Sequence, residues 1–462
     1  MKYKYGYFMI MILGLSCQPT REDNTSNVRL ITLNPGHFHA ALVQKSLYEN
    51  VDTNVFVYAP TGQEVQQYLD KIKSYNSRSE EPTRWNEQAY LGDDFLDKMM
   101  AEKKGNVVVI AGNNKNKTQY INRSIDGGFN VLADKPMVID QQGFELLKKS
   151  FTKASEKKLV LYDIMTERYE MTNILQREFA MQPGVFGVLQ KGTPEMPAVE
   201  MESVHCFYKY VSGSVLTRPS WFMDVSQQGE AITDVATHLV DLVQWECFPD
   251  SIIDYKNDIE IETSSRWSTN ISLSQFKAIT KTDGFPDYFE NNIIKDTILP
   301  VFANGEINYR LKGVYIKVVA KWDFKAKEGS GDTHYSVLYG TKANLIIRQG
   351  AEESCKPILY IEPTNGGLFV NELNSSVKAI QNKYPNVEVR KVPTGWAVVI
   401  PEKYREGHEA HFAMVTKKFL KFLKEGNMPV WEVPNMLAKY YTTTHALEVA
   451  KKDSKPAKSS IE

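Results

Sequence analysis

Val28-Arg-Leu-Ile-Thr-Leu-Asn-Pro-Gly-His-Phe-His39 is the stretch from which the rest of the chain can be parsed. Val28 to Leu33 is apolar and β-prone, Asn34-Pro35-Gly36 is a turn, and Ala40, Ala41, Leu42, Val43 and Leu47 continue at helical spacing. The same strand, turn, helix grammar repeats downstream. Asn54 to Tyr58 predicts a strand and Gln63 to Lys73 a helix, while Tyr75 to Tyr90 reads as loop. Val107 to Ala111 predicts a short buried strand, Thr118 to Asp126 a helix ended by Gly127-Gly128, and Phe129 to Ala133 another strand. Gly143 to Lys153, Lys158 to Tyr162 and Glu170 to Ala180 add helix, strand and helix. Alternation of this size implies an α/β fold with a doubly wound parallel sheet of Rossmann type.

After about Pro183 the grammar changes. Strand-like runs at Val199 to Phe207, Ile259 to Trp267, Val314 to Trp322, Tyr335 to Leu338 and Ala343 to Ile347 come without helices between them. They predict an α+β domain with an open, largely antiparallel sheet, one face of which needs a cover. Beyond Pro363 follow two short β-prone runs, Val387 to Val392 and Trp396 to Ile400, and two helices, His408 to Lys424 and Pro434 to Lys452. The expected organisation is therefore 1–27 signal and tether, 28–182 dinucleotide-type domain, 183–362 substrate domain, and 363–462 an extension whose helices pack back.

The 462 residues are too many for one ordinary core. Lys plus Arg number 55 against 56 Asp plus Glu, without a dense basic block, which argues against a nucleic-acid partner and for a small, roughly neutral substrate. Lys2 and Lys4, the apolar run Phe8 to Leu13, and Gly-Leu-Ser before Cys17 have the layout of a secretory signal. The Leu-Ser-Cys ending resembles a bacterial lipoprotein signal, with Cys17 lipidated and Gln18 to Asn27 as a polar tether. The expected location is the bacterial cell envelope, anchored by lipid and facing the periplasm or cell surface. Cys206, Cys247 and Cys355 are too few and too scattered for a disulfide framework or a zinc site.

The helix expected over Ala231 to Trp245 is nearly all apolar, yet it carries Asp234, His238 and Asp241 at i, i+4 and i+7 on one predicted face. A polar stripe on a helix buried all round points to a cavity and a candidate active site. An amphipathic helix with a wet face would carry the same pattern, so the stripe alone leaves both readings open.

A second segment joins it. Ala111-Gly-Asn-Asn-Lys-Asn-Lys117 and Gly127-Gly-Phe-Asn-Val-Leu-Ala-Asp134-Lys135-Pro136, followed by Gly229, Asp234, His238 and Asp241, resemble the ordered motifs of the glucose-fructose oxidoreductase, inositol dehydrogenase and MocA family. The resemblance covers roughly Val28 to Ile347. It implies a nicotinamide-dependent oxidoreductase acting on a secondary hydroxyl of a sugar, glycoside or polyol, with NAD as the default cofactor, NADP not excluded, and the dinucleotide tightly held. Such an oxidation needs a base for the hydroxyl proton and a cation for its oxygen. The resemblance implies Lys135, Asp234 and His238 as the catalytic set, with Asp234 orienting the imidazole. It implies cofactor contacts from Asn34, Gly36, His37, Phe38, His39, Asn113, Asn114, Asp134, Lys135 and Pro136. Substrate contacts are expected from Lys135, Arg168, Trp221, Asp234, His238 and Asp241. It also makes a homo-oligomer plausible.

The chain departs from the family at two places. Of the Gly-x-Gly-x-x-Gly turn only Gly36 is kept, with Asn34 and His39 at the flanking glycine positions. The second strand ends in Ala59-Pro60-Thr61, without the acidic residue that takes a ribose or an Arg for a 2′-phosphate. His37 and His39 also suggest a metal, but no carboxylate or Cys lies near them in sequence, so none is expected. Two other readings fit the same residues: a glycosidase that oxidises its sugar transiently and eliminates the aglycone, and a non-catalytic carbohydrate-binding lipoprotein with a decayed cofactor turn.

Overall fold

A computed structural model describes residues 28–211, 214–326, 331–364 and 370–453. The signal and tether, including Cys17, lie outside the described residues. The first half contains β1 (Leu30–Leu33), α1 (His39–Leu42), β2 (Asn54–Ala59), α2 (Gln63–Ser77), β3 (Asn86–Leu91), α3 (Phe95–Glu102), β4 (Val107–Ile110), α4 (Lys117–Asp126), β5 (Asn130–Asp134), α5 (Gln141–Glu156), β6 (Leu161–Ile164) and α6 (Met171–Ala180). Six strands form one parallel sheet in the order β3-β2-β1-β4-β5-β6, the doubly wound arrangement expected from the alternation. Its central strands β1 and β4, and its edge strand β6, are buried at every position, because helices cover both faces and no side chain can point to water.

Two local expectations fail here. The stretch read as loop contains β3, an edge strand with the sequence Asn-Glu-Gln-Ala-Tyr-Leu; polar and mostly exposed on both faces, it carries no period-2 signal. The helix after the first turn is a single turn long, although its apolar spacing runs to Leu47.

The second half contains β7 (Val199–Tyr208), β8 (Tyr210–Val211), β9 (Ser214–Val215), α7 (Val225–Gln228), α8 (Ala236–Cys247), β10 (Ile259–Ser272), α9 (Leu273–Thr280), β11 (Ile298–Leu311), β12 (Val314–Lys325), β13 (Thr333–Tyr339), β14 (Ala343–Arg348), β15 (Ile358–Pro363), α10 (Val370–Gln381), β16 (Glu388–Val392), β17 (Gly395–Val399), α11 (His408–Glu425) and α12 (Glu432–Asp453). Nine of its strands build a mixed, mostly antiparallel sheet ordered β10-β11-β12-β7-β13-β14-β15-β17-β16, in which β12 and β7 run parallel. Burial alternates along β11 and β12, as it should where one face meets a helical layer and the other meets solvent. Strands β16 and β17 extend this sheet past residue 363, so the late residues complete it as well as returning to the first half.

The C-terminal helices tie the halves together. Phe412, Val415, Phe419 and Phe422 of α11 enter the core of the parallel sheet, each buried aromatic ring contributing roughly 1.5–3 kcal/mol. Helix α12 straddles both cores: Met436 and Tyr440 join that of the parallel sheet, while Ala438, Ala446, Leu447 and Ala450 join that of the nine-stranded sheet.

Candidate active site

The cavity of about 1150 Å³ lies where the carboxyl ends of the parallel strands face α8 and the nine-stranded sheet. Lys135 stands one residue beyond β5 and precedes Pro136, to which it is joined by a cis peptide. Its Nζ donates to Asp234 Oδ1 at 2.8 Å, bridging the two halves of the molecule. Asp234 Oδ2 accepts from Gln228 Nε2 at 3.1 Å. Burial opposes ionisation of Asp234, but the Lys135 ammonium outweighs it and holds the carboxyl below its usual range.

The segment around Asp234 differs from expectation. The helix starts at Ala236, and Gly229 to Val235 is a tight turn in which the Thr233 and Asp234 amides both donate to Glu230 O. Gly229 has φ 97°, where a side chain is strained, and a Cβ there would meet Ile139 Cγ2 at 2.8 Å. Asp234 thus leaves the helical face that the i, i+4 spacing assigned to it and turns to Lys135. Among the described residues no hydrogen bond joins it to His238, so the implied orientation of the imidazole by Asp234 is corrected. His238 is buried on α8 and borders the same cavity, with its Nδ1 lacking a hydrogen-bond partner. Burial, and after it the Lys135 charge, pushes its pKa down to about 3, so the ring is neutral at pH 7.

Asp241 and Arg168 do not border the cavity. Asp241 accepts from Arg168 Nε at 2.6 Å and Nη2 at 2.7 Å, and from Lys439 Nζ at 2.8 Å. Lys439 also pairs with Asp163 at 2.6 Å, Arg168 with Glu432 at 3.1 Å, and Glu432 with Lys418 at 2.8 Å. The Tyr440 and Tyr162 hydroxyls donate to Asp163 and Glu432. This buried network joins β6, α8, α11 and α12, and the expected substrate contacts of Asp241 and Arg168 are corrected to a structural role. The sequence held no sign of it, since Lys439 and Glu432 lie about two hundred residues beyond Asp241.

Trp221 is also absent from the cavity wall. Its Nε1 donates to Glu64 Oε1 at 2.7 Å in the first turn of α2, and its ring lies over Gly36. The Gly36 and His37 amides both donate to Ala111 O, at 3.2 and 3.3 Å. Asn34 donates to the Tyr120 hydroxyl. Asn113 Nδ2 donates to Gln227 Oε1 at 2.7 Å, and Asn114 donates to the Gln227 and Gln228 carbonyls. The polar groups of this turn are therefore engaged with protein. Phe38 packs edge-on against His39. His39 Nδ1 lies 2.9 Å and His37 Nδ1 3.7 Å from Asp134 Oδ2. The carboxylate that the sequence did not place near the two histidines comes from β5, and burial holds both imidazoles well below their ordinary pKa.

The cavity wall has further charged residues that no motif flagged. Lys117, which ends the Ala111 to Lys117 motif, is buried outside this wall; its Nζ donates to Asp134 O at 3.1 Å, and burial pushes it down to about 8. Asp332 pairs with Lys209 at 2.5 Å and His205 at 3.2 Å, and His408 of α11 lies 3.5 Å from Glu167. Arg218 stacks on Phe222 and Trp322 and donates to the Phe207 and Cys206 carbonyls.

Residues 175–451 match the family described as "Putative oxidoreductase C terminal domain". No curated protein matches the chain. A solved structure described as "a putative oxidoreductase from Parabacteroides merdae ATCC 43184" is 54% identical, with a TM-score of 0.90, over 92% of this chain and 98% of that one. Two distant structures share the fold at 12% identity. A "putative myo-inositol dehydrogenase from Sinorhizobium meliloti 1021" has a TM-score of 0.53 over 92% of this chain and 98% of that one. A levoglucosan dehydrogenase in complex with NADH and L-sorbose has a TM-score of 0.59 over 92% and 97%. Through this C-terminal domain over residues 175–451 and the 54% identity, the chain belongs to the oxidoreductase family so described.

Proposed function

We propose that the chain moves hydride between a nicotinamide dinucleotide, NAD or NADP, and a secondary hydroxyl of a sugar, glycoside or polyol. The observation that carries this is the convergence of Lys135 from one half of the molecule and His238 from the other on one cavity, with Asp234 on the ammonium. The distant relative crystallised with NADH and L-sorbose supports the choice of cofactor and substrate class.

The cavity suits the nicotinamide end of the cofactor, being roomy and bordered by Gly112, Asn114, Asp134 and Lys135. The Trp221 to Glu64 hydrogen bond lies beside the Gly36 turn, so a dinucleotide held on that turn would require the bridge to part. When bound, the nicotinamide supplies the hydride acceptor. Lys135 Nζ binds the substrate oxygen and stabilises the charge that grows there, while Asp234 fixes the ammonium. The hydroxyl proton passes to the His238 ring, whose low basicity rises as negative charge develops beside it. From the reading of residues 1–17 we place the protein in the cell envelope, anchored through Cys17.

Purified protein titrated with NAD and NADP by calorimetry, then offered a panel of sugars and polyols while nicotinamide reduction is followed, tests the proposal. Lys135→Met should lower turnover by about 10²- to 10⁴-fold with the fold intact. Absence of dinucleotide in the purified protein, together with none bound at millimolar concentration, would sink it.

A further inference from the structure

His37, His39 and Asp134 take no part in the hydride or proton step of this chemistry. His37 and His39 flank Phe38 on the turn after β1, and Asp134 ends β5, two strands away in the sheet order β1-β4-β5. Their donor atoms all lie within 4.8 Å of one another. Asp134 Oδ2 is 2.9 Å from His39 Nδ1 and 3.7 Å from His37 Nδ1. Ligands about 2.1 Å from a tetrahedral ion are spaced about 3.4 Å apart, so the two distances bracket what an ion requires. The other carboxylate oxygen, Asp134 Oδ1, is buried with no hydrogen-bond partner, an expense for an anion that a cation would remove.

We propose that His37, His39 and Asp134 form a site for a divalent first-row transition metal. Two imidazoles and one carboxylate suit zinc or iron(II) and leave coordination positions open. All three residues border the cavity, so water or a ligand oxygen can reach an open position. The backbone holds the donors ready: the Gly36 and His37 amides are tied to Ala111 O, and the Ala40 amide to His37 O. The adjacent Lys135 ammonium is balanced by Asp234 and is not an unpaired positive charge facing the ion. The site also gives a reason for the altered turn, because His39 stands where the third glycine of the dinucleotide turn is expected.

The inference does not depend on the dinucleotide reading, and its test is made without nucleotide. Full-length protein, stripped with chelator, is titrated with zinc and cobalt(II) by calorimetry, with the cobalt d–d absorption as a second readout and total metal measured on unstripped protein. The expected result is saturation at one ion per chain, with cobalt bands of four- or five-coordinate geometry. His39→Ala and Asp134→Asn should weaken binding by at least about 10- to 100-fold, the range found even for loss of an outer-shell partner. Lys135→Met should bind as wild type does. Circular dichroism checks that each variant is folded, and His39→Gln replaces His39→Ala if it is not. Wild-type protein that takes up no cobalt or zinc, or folded ligand variants with unchanged affinity, would overturn the proposal. Metal binding without dinucleotide binding would remove the proposed activity and leave this site standing.

Discussion

Asp241→Ala should cost stability and not substrate recognition. The carboxylate accepts three charge-assisted hydrogen bonds, two from Arg168 and one from Lys439, and all three side chains are buried. The wild-type network balances Arg168, Lys418 and Lys439 against Asp163, Asp241 and Glu432. The variant leaves three cations on two carboxylates. Valued singly at about 1.5–3 kcal/mol, the lost bonds would sum to roughly 5–9 kcal/mol. That is an overcount, because Arg168 keeps Glu432 and Lys439 keeps Asp163. Removing one partner of a buried pair costs about 3–5 kcal/mol, and this is the expected loss. Against a total stability of about 5–15 kcal/mol it is large enough to read from the urea midpoint by tryptophan fluorescence. Asp241→Asn, which keeps an acceptor oxygen, should fall between. Adding Lys439→Met to Asp241→Ala removes the surplus cation, so the double variant should be less destabilised than the sum of the singles by about 1–3 kcal/mol. A loss below about 1 kcal/mol for Asp241→Ala, with weakened sugar binding, would refute the structural assignment and return the residue to the substrate.

The acid side of the stability curve should carry the signature of buried neutral histidines. His238 titrates near 6.5 when unfolded and is held at about 3 when folded, by burial first and the Lys135 charge second; between those values the unfolded chain binds the extra proton, so stability falls as pH drops below about 6.5. The slope from one such group is at most about 1.4 kcal/mol per pH unit, and urea midpoints at pH 7 and pH 5 should show His238→Gln losing less than wild type; equal losses would contradict the assignment. Gly112→Ala should destabilise by about 1–3 kcal/mol, because its Cβ would stand 2.4 Å from Asn34 O, a backbone atom that cannot swing away; an unchanged melting temperature would show that the β1 and β4 turns are looser than described.

The sequence alone determined the parallel sheet, because buried β-branched runs such as Val107 to Ile110 and the helices between them leave little choice of class. Through ordered motifs that resemble those of a known family, it also pointed to Lys135 and the Gly229 to Trp245 segment as one candidate site, and the two meet in the Lys135 to Asp234 ion pair. It could not determine which motif residues face the cavity. Asp234 and Asp241 look equivalent on a helical wheel, yet a tight turn at Gly229 carries one to Lys135, and cations from Arg168 and Lys439 capture the other. Nor could it bring Asp134 to His37 and His39, since that meeting depends on strand order in the sheet. Local periodicity is written along the chain, whereas the pairing of buried charges is fixed only when distant elements pack and each ion must find its partner.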